Sequence, residues 1–331
     1  MPDQALVRIV GETVLVLFIY IALGFMMRKI GIIDDNVNKG LGRIFLIVAL
    51  PAAILNSMFN QRFNQELLVN VVIVFFTIIA ICFLFAVLGM GVGTLFRLPR
   101  ERKGMFAFAM VFGNTGIMGL PVIGALWPGL GLFYGAIVIM AIFVMLPTMG
   151  VWLAVKSSKD LDGQPLKFKL KPDVTLFAAL IGLTYFITQN YIPEPIIHFI
   201  RPAVFDGVGG GPVGRVIGGT AAVMTPLSMF MVGAFLATGK VSDLWGEISV
   251  AALAAVKLLI VPASLFFVLR MFITDPILLG VLVVQSAMPT AALTTIYAEN
   301  YKADPAYASR IVFFTTAFSL ATIPIVALLL G

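Results

Sequence analysis

Histidine and cysteine are almost absent from this chain of 331 residues, which contains one of each, His198 and Cys82. A single cysteine excludes an internal disulfide and a cysteine metal cluster, and a single histidine excludes a multi-histidine metal site. We therefore expect no cofactor. The first residues also lack a basic region followed by a short apolar core and a small-residue cleavage site, so no signal peptide is expected.

Charged residues are also scarce. They make up only 11% of the chain, and hydrophobic residues make up 60%, whereas about 25% of residues are charged in an ordinary soluble domain. The mean hydropathy is +1.06. Water cannot be the main solvent of such a chain, so we expect one domain embedded in the lipid bilayer. The net charge of +6 does not indicate nucleic acid, because the basic residues are scattered between apolar segments.

The apolar runs predict an all-α polytopic membrane protein with ten transmembrane helices. A helix needs about 20 apolar residues to cross the hydrocarbon core. Such runs lie at 11–27, 43–59, 68–95, 104–126, 130–154, 173–190, 216–238, 247–271, 277–298 and 309–330. With the N-terminus outside, sixteen of the 22 lysines and arginines fall on the cytoplasmic side, five fall outside, and one, Lys257, lies within a span. This bias satisfies the positive-inside rule and places both termini outside.

The ten predicted spans divide into two halves that resemble each other. A polar, Lys-rich cytoplasmic linker at 156–172 separates a first five-helix repeat, 1–155, from a second, 173–331. Proline recurs at similar offsets in matching spans, as Pro51 and Pro226, Pro121 and Pro289, and Pro147 and Pro324. Because each repeat has an odd number of spans, the second is inverted in the membrane. This plan places a substrate site where broken helices meet near the midplane.

The fourth and ninth spans contain residues that do not sustain a regular helix. The fourth reads Gly113-Asn114-Thr115-Gly116-Ile117-Met118-Gly119-Leu120-Pro121, and the ninth reads Gln285-Ser286-Ala287-Met288-Pro289-Thr290. Proline removes a backbone donor, and glycine favours other conformations. Broken backbone at membrane depth is tolerated only where protein or a polar cavity satisfies it. We therefore predict crossed, proline-broken fourth and ninth helices around a cavity. The alternative for one proline alone is a simple kink.

The predicted cavity favours negative charge. Proline prefers the first turn of a helix, so Pro121 and Pro289 are expected to begin the second half of each broken span. Two helix N-termini would then point their positive dipole ends at the midplane, where an anion is stabilised. Neutral hydrogen bonds to a carboxylate are expected from Asn114, Thr115, Gln285, Ser286 and Thr290.

Two further polar residues lie within spans. Lys257 is well inside the eighth span, where a lysine costs roughly 2.5–3.5 kcal/mol to insert. It is predicted to supply positive charge to the cavity or to hold the crossing of the broken helices in place, with snorkelling to the inner surface as the alternative. Asn56, in the second span, either lines the cavity or bonds another helix. The predicted substrate-binding residues are Asn114, Thr115, Gly116, Pro121, Gln285, Ser286, Pro289, Thr290, Asn56 and Lys257.

Carboxylates are absent from the interior of the predicted spans, because every Asp and Glu lies in a loop or at a span end. A proton or sodium antiporter normally keeps carboxylates at its centre, so cation transport is not expected as the primary activity. Coupling to H⁺ or Na⁺ through neutral oxygens stays open. An enzyme is not expected, because no combination of nucleophile, acid and base lies at a matching depth.

The segment from Asn114 to Pro121 resembles the fourth-span crossover of the auxin efflux carrier family. This family includes plant PIN-type exporters and bacterial relatives implicated in the transport of malonate and other carboxylates. The segments Ala287-Met288-Pro289-Thr290 and Tyr297-Ala298-Glu299-Asn300-Tyr301 are similar to the second crossover of the family and the end of its helix. Lys257, ahead of Pro262, lies where these carriers tend to keep a basic residue. The resemblance covers essentially the whole chain.

The resemblance implies a ten-helix inverted-repeat fold with scaffold and transport domains, elevator-like alternating access and a homodimer in a bacterial inner membrane. It also implies that Asn114 contacts the substrate carboxylate and that Pro121 and Pro289 mark the crossover. The chain departs from the family in two places. Its cytoplasmic connection is short, so control by phosphorylation is not expected, and its outer Gly-rich segment, around Gly207 to Gly214, looks longer than usual.

Together these features predict a secondary transporter for a small organic anion, either an auxin-like monocarboxylate or a dicarboxylate such as malonate. One alternative is a sodium- or proton-coupled transporter of the bile-acid or antiporter type. Another is a membrane receptor or channel that binds the anion without alternating access. The residue types at the site do not distinguish one carboxylate from another.

Overall fold

The computed structural model describes residues 4–158, 173–201, 210–239 and 247–330, and every regular element within these ranges is a helix. The predicted all-α class is therefore confirmed. The helices are α1 (Gln4–Lys29), α2 (Asp35–Phe59), α3 (Gln65–Leu95), α4 (Arg100–Val111), α5 (Thr115–Leu126), α6 (Leu130–Lys156), α7 (Val174–Tyr191), α8 (Glu194–Ile200), α9 (Pro212–Leu236), α10 (Ile248–Leu269), α11 (Pro276–Ser286), α12 (Leu293–Asn300) and α13 (Pro305–Leu329).

Eight helices in the described ranges are long and apolar enough to cross a membrane: α1, α2, α3, α6, α7, α9, α10 and α13. The predicted span 104–126 is instead two helices, α4 and α5, separated by residues 112–114. The predicted span 277–298 is likewise divided into α11 and α12, separated by residues 287–292. Ten membrane spans therefore stay a prediction, in which each broken pair of helices counts as one span.

Some helix boundaries differ from those that hydropathy predicted. α2 begins at Asp35 and not at residue 43, because the Asp34 side chain accepts a hydrogen bond from the Val37 N–H at 2.7 Å and caps the helix. Hydropathy misses this polar beginning, since residues 35–44 include no buried side chain. Most of the predicted linker, residues 159–172, lies outside the described ranges, as do residues 207–209 of the Gly-rich segment.

The first halves of the broken helices, α4 and α11, lie in the interior of the molecule. Every residue of α4 from Gly104 to Val111 is buried, and so is every residue of α11 from Leu278 to Ser286. The long helices instead expose large apolar side chains, such as Phe76 and Val87 on α3. An apolar exterior of this kind suits lipid as the surrounding solvent.

The long helices form two groups. In the first group, α1 packs along α9, and α2 packs against α7 and α9. The closest approach is between α1 and α9, where a Cβ added at Gly24 would lie 2.3 Å from the Phe230 carbonyl oxygen. A Cβ added at Gly233 would lie 2.0 Å from the Ile21 carbonyl oxygen. These two backbones therefore touch directly, as small residues permit between membrane helices.

The second group contains α3, α4, α6, α10, α11 and α13, and two polar clusters tie its helix ends together. In one, the Asn70 amide of α3 donates to the Tyr134 hydroxyl of α6 at 2.9 Å, and that hydroxyl donates to Asp275 at the start of α11 at 2.8 Å. In the other, Ser249 of α10 and Tyr307 of α13 share a hydroxyl–hydroxyl bond of 3.0 Å. Each cluster thus joins the starts of helices that are distant in sequence.

The second cluster extends into an ion-pair network. Arg102 at the start of α4 pairs with Asp304 at 2.7 Å and with Glu247 at 3.4 Å, and Arg310 also pairs with Glu247. Burial would raise the pKa of the Asp304 carboxyl, but hydrogen bonds from the Tyr307 N–H and from Arg102 outweigh burial and hold that pKa below its usual value. Asp304 therefore stays ionised and caps α13.

Candidate functional site

The two interrupted segments meet and pair through their backbones. The Asn114 N–H donates to the Pro289 carbonyl at 2.6 Å, and the Ala291 N–H donates to the Phe112 carbonyl at 3.0 Å. Together these bonds make an antiparallel bridge between Gly113 and Thr290. We call this meeting point the crossing. It satisfies backbone groups that the breaks would otherwise leave unpaired inside the molecule.

Local chemistry explains why the chain leaves the helix at these positions. Phe112 ends α4 with an extended backbone, φ −91° and ψ 92°. A Cβ added at Gly113 would lie 3.3 Å from the Met288 carbonyl oxygen, so glycine allows the two segments to come close. Pro289 has no N–H to donate, and in the crossing only its carbonyl is used.

The last carbonyls of α4 receive donors from distant parts of the chain. The Ala109 carbonyl accepts from the Thr290 hydroxyl at 3.0 Å, and the Met110 carbonyl accepts from the Lys257 ammonium. A helix leaves its final carbonyls without intrahelical partners, so these two side chains complete the broken end of α4. Thr290 and Lys257 therefore hold the crossing together. For Lys257 this is one of the two roles expected from the sequence, whereas Thr290 was expected to bond the substrate.

Sequence reasoning missed a third supporting residue, Thr315 of α13. Its hydroxyl accepts from the Thr290 N–H at 3.1 Å and donates to the Ile311 carbonyl at 2.8 Å. The available signal was the group of hydroxyl residues in the last predicted span, of which Thr315, Thr316 and Ser319 are all buried. Buried hydroxyls in an apolar helix indicate hydrogen bonding within the protein.

The N-terminus of α5 lies at the crossing with donors available. The first intrahelical donors are Met118 and Gly119, whose N–H groups bond the Asn114 carbonyl at 3.1 and 3.0 Å. The N–H groups of residues 115–117 therefore precede the helical hydrogen-bond ladder. Asn114 is half-buried, and its side chain does not cap the helix. These features place several donors and a partial positive charge at one point.

The two prolines do not begin the second helix of each pair. α5 already begins at Thr115 with a π-helical turn, and Pro121 lies where that turn gives way to regular α-helix. The wider turn tolerates the missing proline N–H. Pro289 lies in the non-helical segment itself, four residues before α12 begins at Leu293. α5 nevertheless begins two residues after Gly113, and α12 begins three residues after Thr290, so both second helices begin near the crossing, as the anion hypothesis requires.

A small cavity beside the crossing brings together several predicted residues. Its volume is about 20 Å³, and its lining includes Thr115, Gln285, Ser286 and Lys257 together with apolar side chains of α3 and α6. The Ser286 hydroxyl is committed to the Val283 carbonyl at 2.7 Å. We call this space the lysine cavity.

Gly116 and Asn56 have different positions relative to the crossing. A Cβ added at Gly116 would lie 3.8 Å from Leu50 of α2 and 3.7 Å from Ile139 of α6, so Gly116 lies between the two groups of helices. Asn56 lies farther along α2, half-buried, and its amide oxygen accepts from Asn60 at 3.4 Å. Within the described residues, the lining of the lysine cavity does not include Asn56.

Comparison with known proteins agrees with this architecture. The model of a family described as membrane transport protein matches residues 9–168 and 212–327. An uncharacterized transporter of Methanocaldococcus jannaschii is 24% identical over 325 residues, covering 94% of this chain and 96% of that protein. An uncharacterized transporter of Methanothermobacter thermautotrophicus is 22% identical over 324 residues, covering 95% of this chain and 96% of that protein.

Proposed function

This chain belongs to the membrane transport protein family, and from that premise we propose that it carries a small organic anion across the membrane by elevator-type alternating access. The resemblance to auxin efflux carriers is thereby confirmed, and the comparisons point to a transporter and not to an enzyme. The proposed substrate is an auxin-like monocarboxylate or a dicarboxylate such as malonate.

One observation carries the proposal, namely the free donors at the start of α5 beside the half-buried Asn114. A carboxylate placed there would accept from the N–H groups of residues 115–117 and from the Asn114 amide. The positive end of the helix and the nearby Lys257 favour an anion electrostatically. A cation at this position would face donors and positive charge, which is unfavourable.

The position of α5 suits alternating access. α5 contacts α1 and α9 of the first group as well as α6 of the second. A substrate bound at Asn114 would thus lie at the boundary between the two groups. We propose that the first group is the scaffold and that the second, braced by its polar clusters, moves past it and carries the substrate from one side to the other.

The topology proposal rests on a correspondence between the two halves. In the first half, Asn70 near the start of the third predicted span bonds Tyr134 near the start of the fifth. In the second half, Ser249 lies near the start of the eighth predicted span, Tyr307 lies two residues before the tenth and near the start of α13, and these two residues also bond each other. This correspondence favours two related five-helix repeats. From the odd number of spans in each repeat and the distribution of basic residues, we propose that the repeats are inverted and that both termini lie outside a bacterial inner membrane. A homodimer is proposed from the family resemblance alone.

The test is uptake of labelled malonate and of labelled indole-3-acetate into proteoliposomes. Hydrogen bonds to a charged group contribute about 1.5–3 kcal/mol, so Asn114→Ala should weaken the apparent affinity for the transported acid by about tenfold or more. The matched control is Asn190→Ala, since Asn190 is an exposed asparagine at the end of α7. It should leave uptake unchanged.

Other results would contradict the proposal. Equal affinities in the wild type and Asn114→Ala would remove the α5 N-terminus from the substrate site. Passive, non-saturable flux would indicate a channel and not a carrier. Uptake that requires a sodium or proton gradient would assign the protein to the coupled alternative, and repeating the assay with and without each gradient measures this directly.

A further inference from the structure

Lys257 is a buried lysine whose contacts among the described residues carry only partial negative charge. Its side chain is 1% exposed. The ammonium donates to the Met110 carbonyl and lies 5.1 Å from the centre of the Phe85 ring. An ammonium group has three hydrogens to donate. One carbonyl and one aromatic face therefore leave donors and net charge uncompensated.

Carboxylates that could neutralise Lys257 are missing from the surrounding helices. No Asp or Glu occurs at 67–100, 102–159, 248–274 or 276–298, the sequences that form nearly all of α3, α4, α5, α6, α10 and α11. Among the described residues, the ion pairs of Arg28, Arg102 and Arg310 all lie at helix ends and do not involve Lys257. The described residues therefore supply no carboxylate to Lys257, and a counter-ion for its ammonium form would come from outside them.

Gln285 gives an independent indication that the lysine cavity holds a ligand. Its side chain is 3% exposed, and neither amide atom has a hydrogen-bond partner within the described part of the chain. Gly119 makes room for this amide, because a Cβ there would lie 2.2 Å from the Gln285 Oε1 atom. A buried amide without partners is costly, so it is expected to bond a group not supplied by the protein.

The lysine cavity joins these two residues. Lys257, Gln285 and the Thr115 hydroxyl all line it, and Cys82 of α3 forms part of its wall. Its volume of about 20 Å³ suits one particle of about the size of a water molecule. A water would leave the charge of Lys257 uncompensated, and an organic acid is too large for the space.

We infer that the lysine cavity binds a monatomic anion of the size of chloride. Lys257 would supply the opposite charge, and the Gln285 amide and the Thr115 hydroxyl would donate hydrogen bonds. This site lies beside the substrate position proposed at the start of α5 and shares Thr115 with it, through the hydroxyl here and the N–H there. The inference does not depend on which organic acid is transported. Its occupant would stabilise the crossing, because Lys257 also completes the broken end of α4.

Cys82 allows a direct test of the charge argument. In Cys82→Asp, a carboxylate on the cavity wall would replace the bound anion as the counter-ion of Lys257. In the matched control Cys82→Ser, the wall stays neutral. We would measure thermal unfolding of the purified full-length proteins in potassium chloride, potassium bromide and potassium gluconate at one ionic strength.

The wild type and Cys82→Ser should unfold about 2 °C or more higher in chloride and bromide than in gluconate, with a saturable dependence on halide concentration. Cys82→Asp should show no such difference. The same halide effect in all three proteins, or none in the wild type, would overturn the proposal. Stabilisation of the wild type by organic acids but not by halides would instead make the substrate carboxylate the partner of Lys257.

A second measurement covers the case in which Cys82→Asp does not fold. Binding of radiolabelled chloride would be compared between the wild type and Gln285→Leu, which removes the amide donor but keeps Lys257. The affinity should fall by about tenfold, as for loss of one hydrogen bond to an ion. Unchanged binding, or no saturable binding to the wild type, would reject the site.

Discussion

At the scale of single residues, the hydroxyl of Thr290 shows how the crossing is held. It donates to the Ala109 carbonyl, while the Thr290 N–H donates to Thr315. The residue is fully buried, so a polar group left unpaired here could not turn to water. The residues that hold the crossing are therefore distinct from the donors that stay available for a substrate, those of Asn114 and residues 115–117.

We predict that Thr290→Val lowers the free energy of unfolding by about 1–3 kcal/mol, because it leaves the Ala109 carbonyl buried without a partner. Thr290→Ser keeps the hydroxyl and should cost less, about the value of one lost methyl group, ~1 kcal/mol. Thermal and denaturant unfolding in detergent compare the two. A valine variant as stable as the serine variant would show that the hydroxyl contributes nothing to the crossing.

At the scale of helices, direct contact between backbones fixes α1 against α9. Gly24 and Gly233 leave no space for a side chain at the point of contact. Phe230, whose carbonyl lies against Gly24, also packs its ring on Tyr20 with centroids 5.7 Å apart. A helix pair packed this closely is suited to remain fixed while other helices move.

Two glycines of α1 provide a matched pair of substitutions. Gly24→Ala places a methyl group against the Phe230 backbone and should destabilise the protein by about 1–3 kcal/mol. Gly11→Ala meets nothing within 4 Å, and should be neutral or stabilising by up to ~1 kcal/mol through helix propensity. The unfolding temperatures of the two variants and the wild type, measured side by side, test this difference in stability. Similar values for the two variants would contradict the close approach of α1 and α9.

At the scale of the whole molecule, the proposed elevator motion requires the two groups of helices to slide past each other. Phe235 of α9 and Phe313 of α13 lie across that boundary, with ring centroids 6.2 Å apart. Tyr20 of α1 and Phe230 of α9 lie at a similar separation within the first group. These two pairs distinguish movement between the groups from movement within one group.

We predict that cross-linking Phe235→Cys with Phe313→Cys, in a Cys82→Ser background, stops transport in proteoliposomes, because it ties the moving group to the scaffold. Cross-linking Tyr20→Cys with Phe230→Cys should leave transport intact. A short thiol-reactive linker, followed by a reductant to reverse the bond, makes the comparison within one sample. Full transport with the first pair cross-linked would exclude an elevator motion across this boundary.

Local features were predictable from the sequence. Hydropathy depends only on the residues of each apolar segment, so the all-α membrane class was predictable from the sequence. Gly113 and Pro289 disturb the backbone at their own positions, whatever packs around them. The positions of both breaks therefore followed from neighbouring residues. The roles of Pro121 and Pro289 were partly wrong, because a π-helical turn begins α5 early and an extended segment precedes α12. Backbone detail of that kind depends on packing as well as on residue type.

By itself, then, the sequence determined that this protein lies in a membrane, where its helices break, and that no carboxylate lies in the interior of the predicted spans. Only the tertiary structure decided which donors meet which carbonyls. Lys257 and Met110 are 147 residues apart in the chain, and Thr290 and Ala109 are 181 apart. The tertiary structure also left Asn56 outside the lysine cavity, and it placed Thr315 against Thr290 of the crossing. Such pairings depend on how distant helices pack, and no local pattern of residue types encodes them.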